Sequence, residues 1–242
     1  PPPRSTLFPY TTLFRSKYEG TRLGRQELNA EILDDNPSAL WSRETLDKLR
    51  VNKHPDLVRI VVGIDPQARS IESACETGII VAGKGADGHA YVLTDASLTG
   101  KPHEWANAAI AEYYKHRADR LVGEANNGGE MVETTILTID DKVPFKMVWA
   151  TKGKYTRAEP ISALYEKGKV HHVGTFGALE DQMCEWEIGM DSPDRLDALV
   201  WALTELMLDG KPTPIVIPGS ITGTRNHSEG GNPRGRIKKG ST

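Results

Sequence analysis

The sequence predicts an α/β domain built on a mixed five-stranded sheet flanked by helices. Three observations predict it. A nearly continuous β-branched run, LVRIVVGID at 57–65, reads as a strand buried on both faces. Two more apolar runs, TGIIVAG at 77–83 and HAYVLTDAS at 89–97, flank GKGADG, whose Asp-Gly marks a hairpin turn. Beyond the hairpin, helical and strand periods alternate, as in crossover units that place parallel strands beside the first one.

The elements follow in order. EWANAAIAEYYKHR (104–117) is helical and begins after Pro102. RLVGE (120–124) is a short fourth strand, 128–139 a helix, and VPFKMVW (143–149) a fifth strand. TRAEPISALYEKG (156–168) ends at Gly168, a helix-terminating residue, and FGALEDQMCEWE (176–187) forms another helix. SPDRLDALVWALTELMLDG (192–210) is the clearest helix. Ser192 is a candidate N-cap, Pro193 suits the first helical position, and Gly210 closes it. Leu196, Leu199, Val200, Leu203, Leu206 and Met207 form one apolar stripe on it.

Composition narrows the function classes. The 242 residues carry 38% hydrophobic and 26% charged side chains, ordinary for a globular chain able to bury a core without staples. Cys75 and Cys184 are a lone distant pair, which gives neither a disulfide framework nor zinc-ligand spacing. No apolar run approaches the roughly 18 residues a membrane span needs, and no signal peptide is visible. A net charge of −3 argues against a generally basic coat for nucleic acid, though not against a local patch. Residues 1–16, PPPRSTLFPYTTLFRS, fit nothing that follows; they resemble translated adapter sequence and are expected to be non-native. Residues 17–56 read as a linker with one helical pattern, about Arg43 to Val51, 57–210 as the main domain, and 211–242, rich in Pro, Gly, Ser and basic residues, as a disordered basic tail.

The candidate chemistry lies in acids at element ends. Asp65 ends the first strand and Glu124 the fourth. As parallel neighbours, roughly 4.8 Å apart, those strands would open on one edge, where open α/β sheets place their ligands. Asp194 and Asp197, three residues apart, share one face of the last helix, a quarter-turn from the apolar stripe. Converging carboxylates raise one another's pKa unless a cation joins them. Hard oxygen ligands favour Mg²⁺ or Mn²⁺ over zinc, and two such ions suit phosphodiester hydrolysis. Taken singly, each acid has a plainer role: a turn former at Asp65, a solvated loop acid at Glu124, a helix-dipole partner at Asp194, a surface residue at Asp197.

Longer stretches add a resemblance. VVGIDPQ, ETGIIVAG, YVLTDAS, EWANAAI, VGEANNGGEMV, ATKGKYTRAEPISALYEKGKVHH, LEDQM and PDRLDALVWALTEL together resemble the C-terminal nuclease domain of the large terminase subunit of tailed bacteriophages, a ribonuclease H-like fold. The resemblance implies cleavage of concatemeric double-stranded viral DNA through two divalent ions, Mg²⁺ or Mn²⁺. It assigns Asp65, Glu124 and Asp197 as catalytic and metal-binding residues and Asp194 as an auxiliary ligand. It also implies the host cytoplasm as the setting, with a portal, a small terminase subunit and a packaging ATPase as partners and no membrane. YEGTRLGRQELNAEILDDNPSALW resembles the segment that joins ATPase to nuclease, which makes 17–56 a remnant of that upstream domain. No G-x-x-x-x-G-K-[ST] phosphate loop occurs in the chain.

Duplex DNA has a candidate track. Residues 142–169 hold seven basic residues against two acids. Lys146, Lys152, Lys154 and Arg157 are its expected DNA contacts, since phosphate neutralisation dominates non-specific binding. His171 and His172 read as structural, and Trp149, Trp186 and Trp201 as core. Two competing readings stay open. Actin-like and sugar-kinase ATPases also begin with a strand ending in Gly-Ile-Asp, but need a duplicated domain for which this chain is too short. A non-catalytic DNA- or portal-binding module would carry the same acids incidentally.

Overall fold

A computed structural model describes residues 36, 38–66, 75–124, 129–150, 153–191 and 193–209. Among these, seven strands make one mixed sheet: β1 (Leu57–Pro66), β2 (Cys75–Gly85), β3 (Ala90–Asp95), β4 (Leu98–Gly100), β5 (Arg120–Glu124), β6 (Phe145–Val148) and β7 (Val170–His172). The order is β6-β5-β1-β2-β3-β7, with β4 paired to the start of β2. β1 and β2 are antiparallel, as are β2 and β3, whereas β5 runs parallel to both β1 and β6. The sequence-based expectation of five strands is therefore corrected to seven. β4 and β7 are three residues each, too short for a period of two to register. The 89–97 run also breaks after Asp95, where Ser97 turns inward and its hydroxyl accepts from the Ile79 amide at 2.9 Å.

Helices cover both faces. α2 (Pro102–His116) and α3 (Gly129–Ile139) lie on one side; α1 (Arg43–Leu49), α4 (Lys154–Glu166), α5 (Gly177–Glu185) and α6 (Asp194–Leu203) lie on the other. Strand alternation divides the core accordingly. Val62, Ile64, Ile79 and Val81 meet Trp105, Ile110 and Ile136, while Val61, Ile80, Ala82 and Val122 meet α4, α5 and α6. α6 begins with Pro193 as its N-cap, not Ser192, which lies outside the described residues, as does Gly210. It continues into a π-turn, Thr204–Leu208. The helix is buried nearly all round: the stripe from Leu196 to Leu206 is enclosed, and so are Ala198, Trp201 and Ala202. That is the pattern of a central helix, covered by α4 and α5 as well as by the sheet.

The segment expected to be a linker contributes to this core. Trp41 and Leu46 are buried, and Trp41 meets Tyr165 edge-on at 6.3 Å. Val51 donates to the His172 carbonyl at 2.9 Å and accepts from the Gly174 amide at 3.0 Å, forming a parallel bridge beside Val173. Arg43 and Arg50 both reach the wholly buried Glu180 on α5, at 3.2 and 2.7 Å. His172, as expected a structural histidine, sits between Glu180 and the Tyr165 hydroxyl, at 2.9 and 2.8 Å. Burial pushes the Glu180 carboxyl up, but His172 and Arg50 outweigh it and hold it at about 2. The stability this carboxylate contributes is present above its usual value and is lost only as pH falls toward 2. Arg50→Ala should cost about 3 kcal/mol at neutral pH, because Glu180 would keep only Arg43, His172 and the Phe176 amide. Thermal unfolding measures this, at about 2–4 °C per kcal/mol for a domain of this size.

Candidate active site

The site is assembled by two periodicities. Val61, Gly63 and Asp65 share one face of β1, and Val122 and Glu124 share the same face of β5. The parallel register pairs Ile64 with Gly123, so Asp65 and Glu124 leave adjacent strands side by side. On β2, Glu76 and Gly78 face the same way as Ile80, and Gly78 is the register partner of Asp65. α6 crosses this face. Asp194, Ala198 and Ala202 recur every four residues and form its sheet-facing seam.

The crossing is unusually close. A Cβ at Gly63 would lie 2.2 Å from the Ala198 carbonyl oxygen and 3.0 Å from Ala202 Cβ. A Cβ at Gly78 would lie 2.0 Å from the Asp194 carbonyl oxygen. Two glycines on neighbouring strands thus let the helix backbone rest on the sheet, with Asp194 and Asp197 in its first turn beside Asp65. Both helical acids are buried, at 5% and 4% exposure. Sheet contact runs through the alanine seam, and the leucine stripe turns to the remaining sides.

Cations occupy the space between the acids. Lys154 Nζ, from the first turn of α4, lies 2.6 Å from Asp197 Oδ2. Arg157, one turn on, donates to Glu124 at 3.2 Å and stacks over the Trp201 ring at 4.3 Å. Asp65 is pushed well above the usual carboxylate range by desolvation, then by Asp197; Lys154 opposes this, and Asp194 and Glu124 add to it. Asp194 is pushed up to about 7 by desolvation and by Glu76, less by Asp197, with Lys154 and Arg195 opposing. Burial works against the charge of Lys154, yet Asp197 first, then Asp65 and Glu124, raise its pKa overall. Among the described residues no three Asp, Glu, His or Cys side chains form a ready metal cage. Lys154 and Arg157 stand among these carboxylates, in contact with Asp197 and Glu124.

Sequence reading placed Asp65, Glu124, Asp194 and Asp197, and the structure brings all four to one edge. Lys154 and Arg157, expected along a DNA track, stand among these acids. Lys146 is the register partner of Val122, on the acids' face of the sheet but two residues back from their edge, and it pairs with Glu205 at 2.5 Å and Asp209 at 3.3 Å. Lys152 and residues 125–128 lie outside the described residues. Trp186 and Trp201 are core as expected, whereas Trp149 is 66% exposed, because β6 is an edge strand and ends at Val148. Glu76 was missed. It binds Arg195 Nη2 at 2.6 Å, and Arg195 also holds Asp95 at 2.8 Å. Its signal was present: Glu76 precedes Gly78 by two, hence on the same face, but the strand was expected to start only at Thr77.

The chain matches the family described as the terminase RNase H-like domain over residues 62–206. No curated protein matches it. The structure is similar to the large terminase nuclease of thermophilic phage G20c, with a TM-score of 0.51, 12% identity, and coverage of 69% of this chain and 98% of that one. The G20c nuclease with bound magnesium gives 0.50 and 12%, over 70% and 98% of the two chains. The large terminase of another thermophilic bacteriophage, in complex with ATP-gamma-S, gives 0.52 and 10%, over 82% of this chain and 53% of that longer one.

Gly78→Ala should cost about 1–3 kcal/mol by forcing α6 off the sheet, read by thermal unfolding. Asp194→Asn should raise the melting temperature above pH 7 and have little effect below pH 4. Its folded carboxyl titrates at about 7 rather than 3.8, so the folded state holds its proton more tightly and loses stability as pH rises through that interval. With its matched residues spanning the strands and the helix that carry the acids, this chain belongs to the terminase RNase H-like domain family.

Proposed function

We propose that this domain is a divalent-metal-dependent DNA endonuclease that hydrolyses phosphodiester bonds of concatemeric double-stranded phage DNA. The observation that carries the reading is the gathering of Asp65, Glu124, Asp194 and Asp197 on one sheet edge, with Lys154 and Arg157 among them. Such acids cost stability when metal-free, which a structural role does not explain, and perturbed carboxylates mark functional sites. The donor set is all oxygen, which fits Mg²⁺ or Mn²⁺. Asp65, Glu124 and Asp197 would hold two ions, with Asp194 auxiliary. Bound there, the ions supply Lewis-acid charge to the attacking water and the leaving oxygen.

The chain's own residues complete the site. Lys154 and Arg157 neutralise the acids before ions arrive. Once those acids are taken, both cations stand beside the edge where the scissile phosphate must lie, so they act at that phosphate and not along a distant backbone track. Lys152 remains a proposed contact to flanking DNA; Lys146, held by Glu205 and Asp209, contributes only when those partners yield. The surroundings proposed are those of the family: a packaging ATPase, a portal and a small terminase subunit, in the cytoplasm of the infected host.

Purified protein should nick supercoiled plasmid with Mg²⁺ or Mn²⁺ and not in chelator. Asp65→Asn, Glu124→Gln and Asp197→Asn should each reduce nicking to background while circular dichroism shows the fold retained. Lys154→Met should slow nicking without abolishing it. Salt-sensitive duplex binding with no cutting under any metal would assign the domain to a non-catalytic DNA-binding module.

A further inference from the structure

Beside the acid cluster lies a cavity of about 430 Å³, lined by Lys146 to Val148 of β6 and the following Trp149, by Arg157 and Trp201, and by Thr204, Glu205 and Asp209. Its volume is that of a small-molecule site. Three of its features are unexplained by the chemistry above. Trp149 presents an indole that is two-thirds exposed, although tryptophan normally gains most from burial. Its chain neighbour Val148 is the register partner of Glu124, so the ring stands one residue beyond the catalytic acid, on the same sheet edge. Two buried donors among the lining residues, Arg157 Nε and Trp201 Nε1, have no partner.

The lining chemistry selects among the parts of DNA. Glu205 and Asp209 repel phosphate, and the cations that reach Glu205, namely Lys146, Arg59 and Arg120, are already engaged. A nucleobase, by contrast, is uncharged, carries both donors and acceptors on its edge, and has a face for an indole to stack on. The π-turn at Thr204–Leu208 shapes this wall, and such irregular turns recur at functional sites. From these features we infer that Trp149 and this cavity receive an unstacked nucleobase next to the scissile phosphate, so that the strand is held by its base as well as by its backbone.

This inference rests on the nuclease reading for the identity of the polymer, and its test separates the two. The full chain, in chelator, is mixed with short duplexes carrying one photoreactive 5-iodocytosine, moved along the strand, and irradiated; adducts are mapped by mass spectrometry. Trp149 should form an adduct from one or two neighbouring positions only. Trp149→Ala should lose the adduct and weaken binding roughly tenfold or more, as loss of a stacked base does, while Trp149→Phe should retain most of the affinity. Unchanged melting temperatures confirm that both variants fold. Wild-type protein that cuts with Mg²⁺ or Mn²⁺ but gives no Trp149 adduct, or binds equally well as Trp149→Ala, overturns the base site and leaves the nuclease. An adduct without cutting overturns the nuclease and leaves the base site. No binding to DNA overturns both.

Discussion

The close seating of α6 on the sheet is the constraint from which the rest of the site follows. Helices normally ride above a sheet on a full layer of side chains; here Gly63 and Gly78 remove those side chains, and Ala198 and Ala202 are all that intervene. Without that approach, acids in the first turn of α6 would sit a layer away from the strand ends. With it, two residues on the helix and two on the strands share one patch, although they are far apart in sequence. The two glycines are thus structural residues whose purpose is electrostatic.

The electrostatics have a cost. Four carboxylates with little solvent are mutually repulsive, and desolvation is the largest influence on both Asp65 and Asp194. The fold meets this with side chains from α4, which project Lys154 and Arg157 from successive turns into the gap. The contrast with Glu180 and Glu205 is instructive. Those buried acids are enclosed by fixed arginines or by histidine and lysine, and Glu180 is held far below its usual range. Asp65 and Asp194 move in the opposite direction. Within one domain, the first kind of acid is held charged by fixed cations, and the second kind is crowded by burial and like charge.

Much of this was legible in the sequence, and what was not has physical causes. β1, the hairpin and α6 announced themselves through long apolar runs and turn residues, and the acids stood at their ends. β4 and β7 were too short to show a period. In the polar segment before β1 the helical pattern about Arg43–Val51 was legible, but the burial of Trp41 and Leu46 was not. Glu76 fell just outside an expected strand boundary. The basic stretch could be counted but not aimed: whether a lysine faces DNA or a carboxylate depends on which turn of α4 points at the sheet, and that is fixed by tertiary packing.

The bridge between Val51 and Val173 has a mechanical consequence. It joins the chain entering from Trp41 to the end of β7 in parallel, while Arg50 grips Glu180 alongside it. A pull arriving along the upstream backbone would load these bonds in shear, all at once, instead of peeling them one after another. Tension on that upstream segment would therefore pass into the rigid sheet as a whole-body displacement, and the acid cluster would be carried along intact.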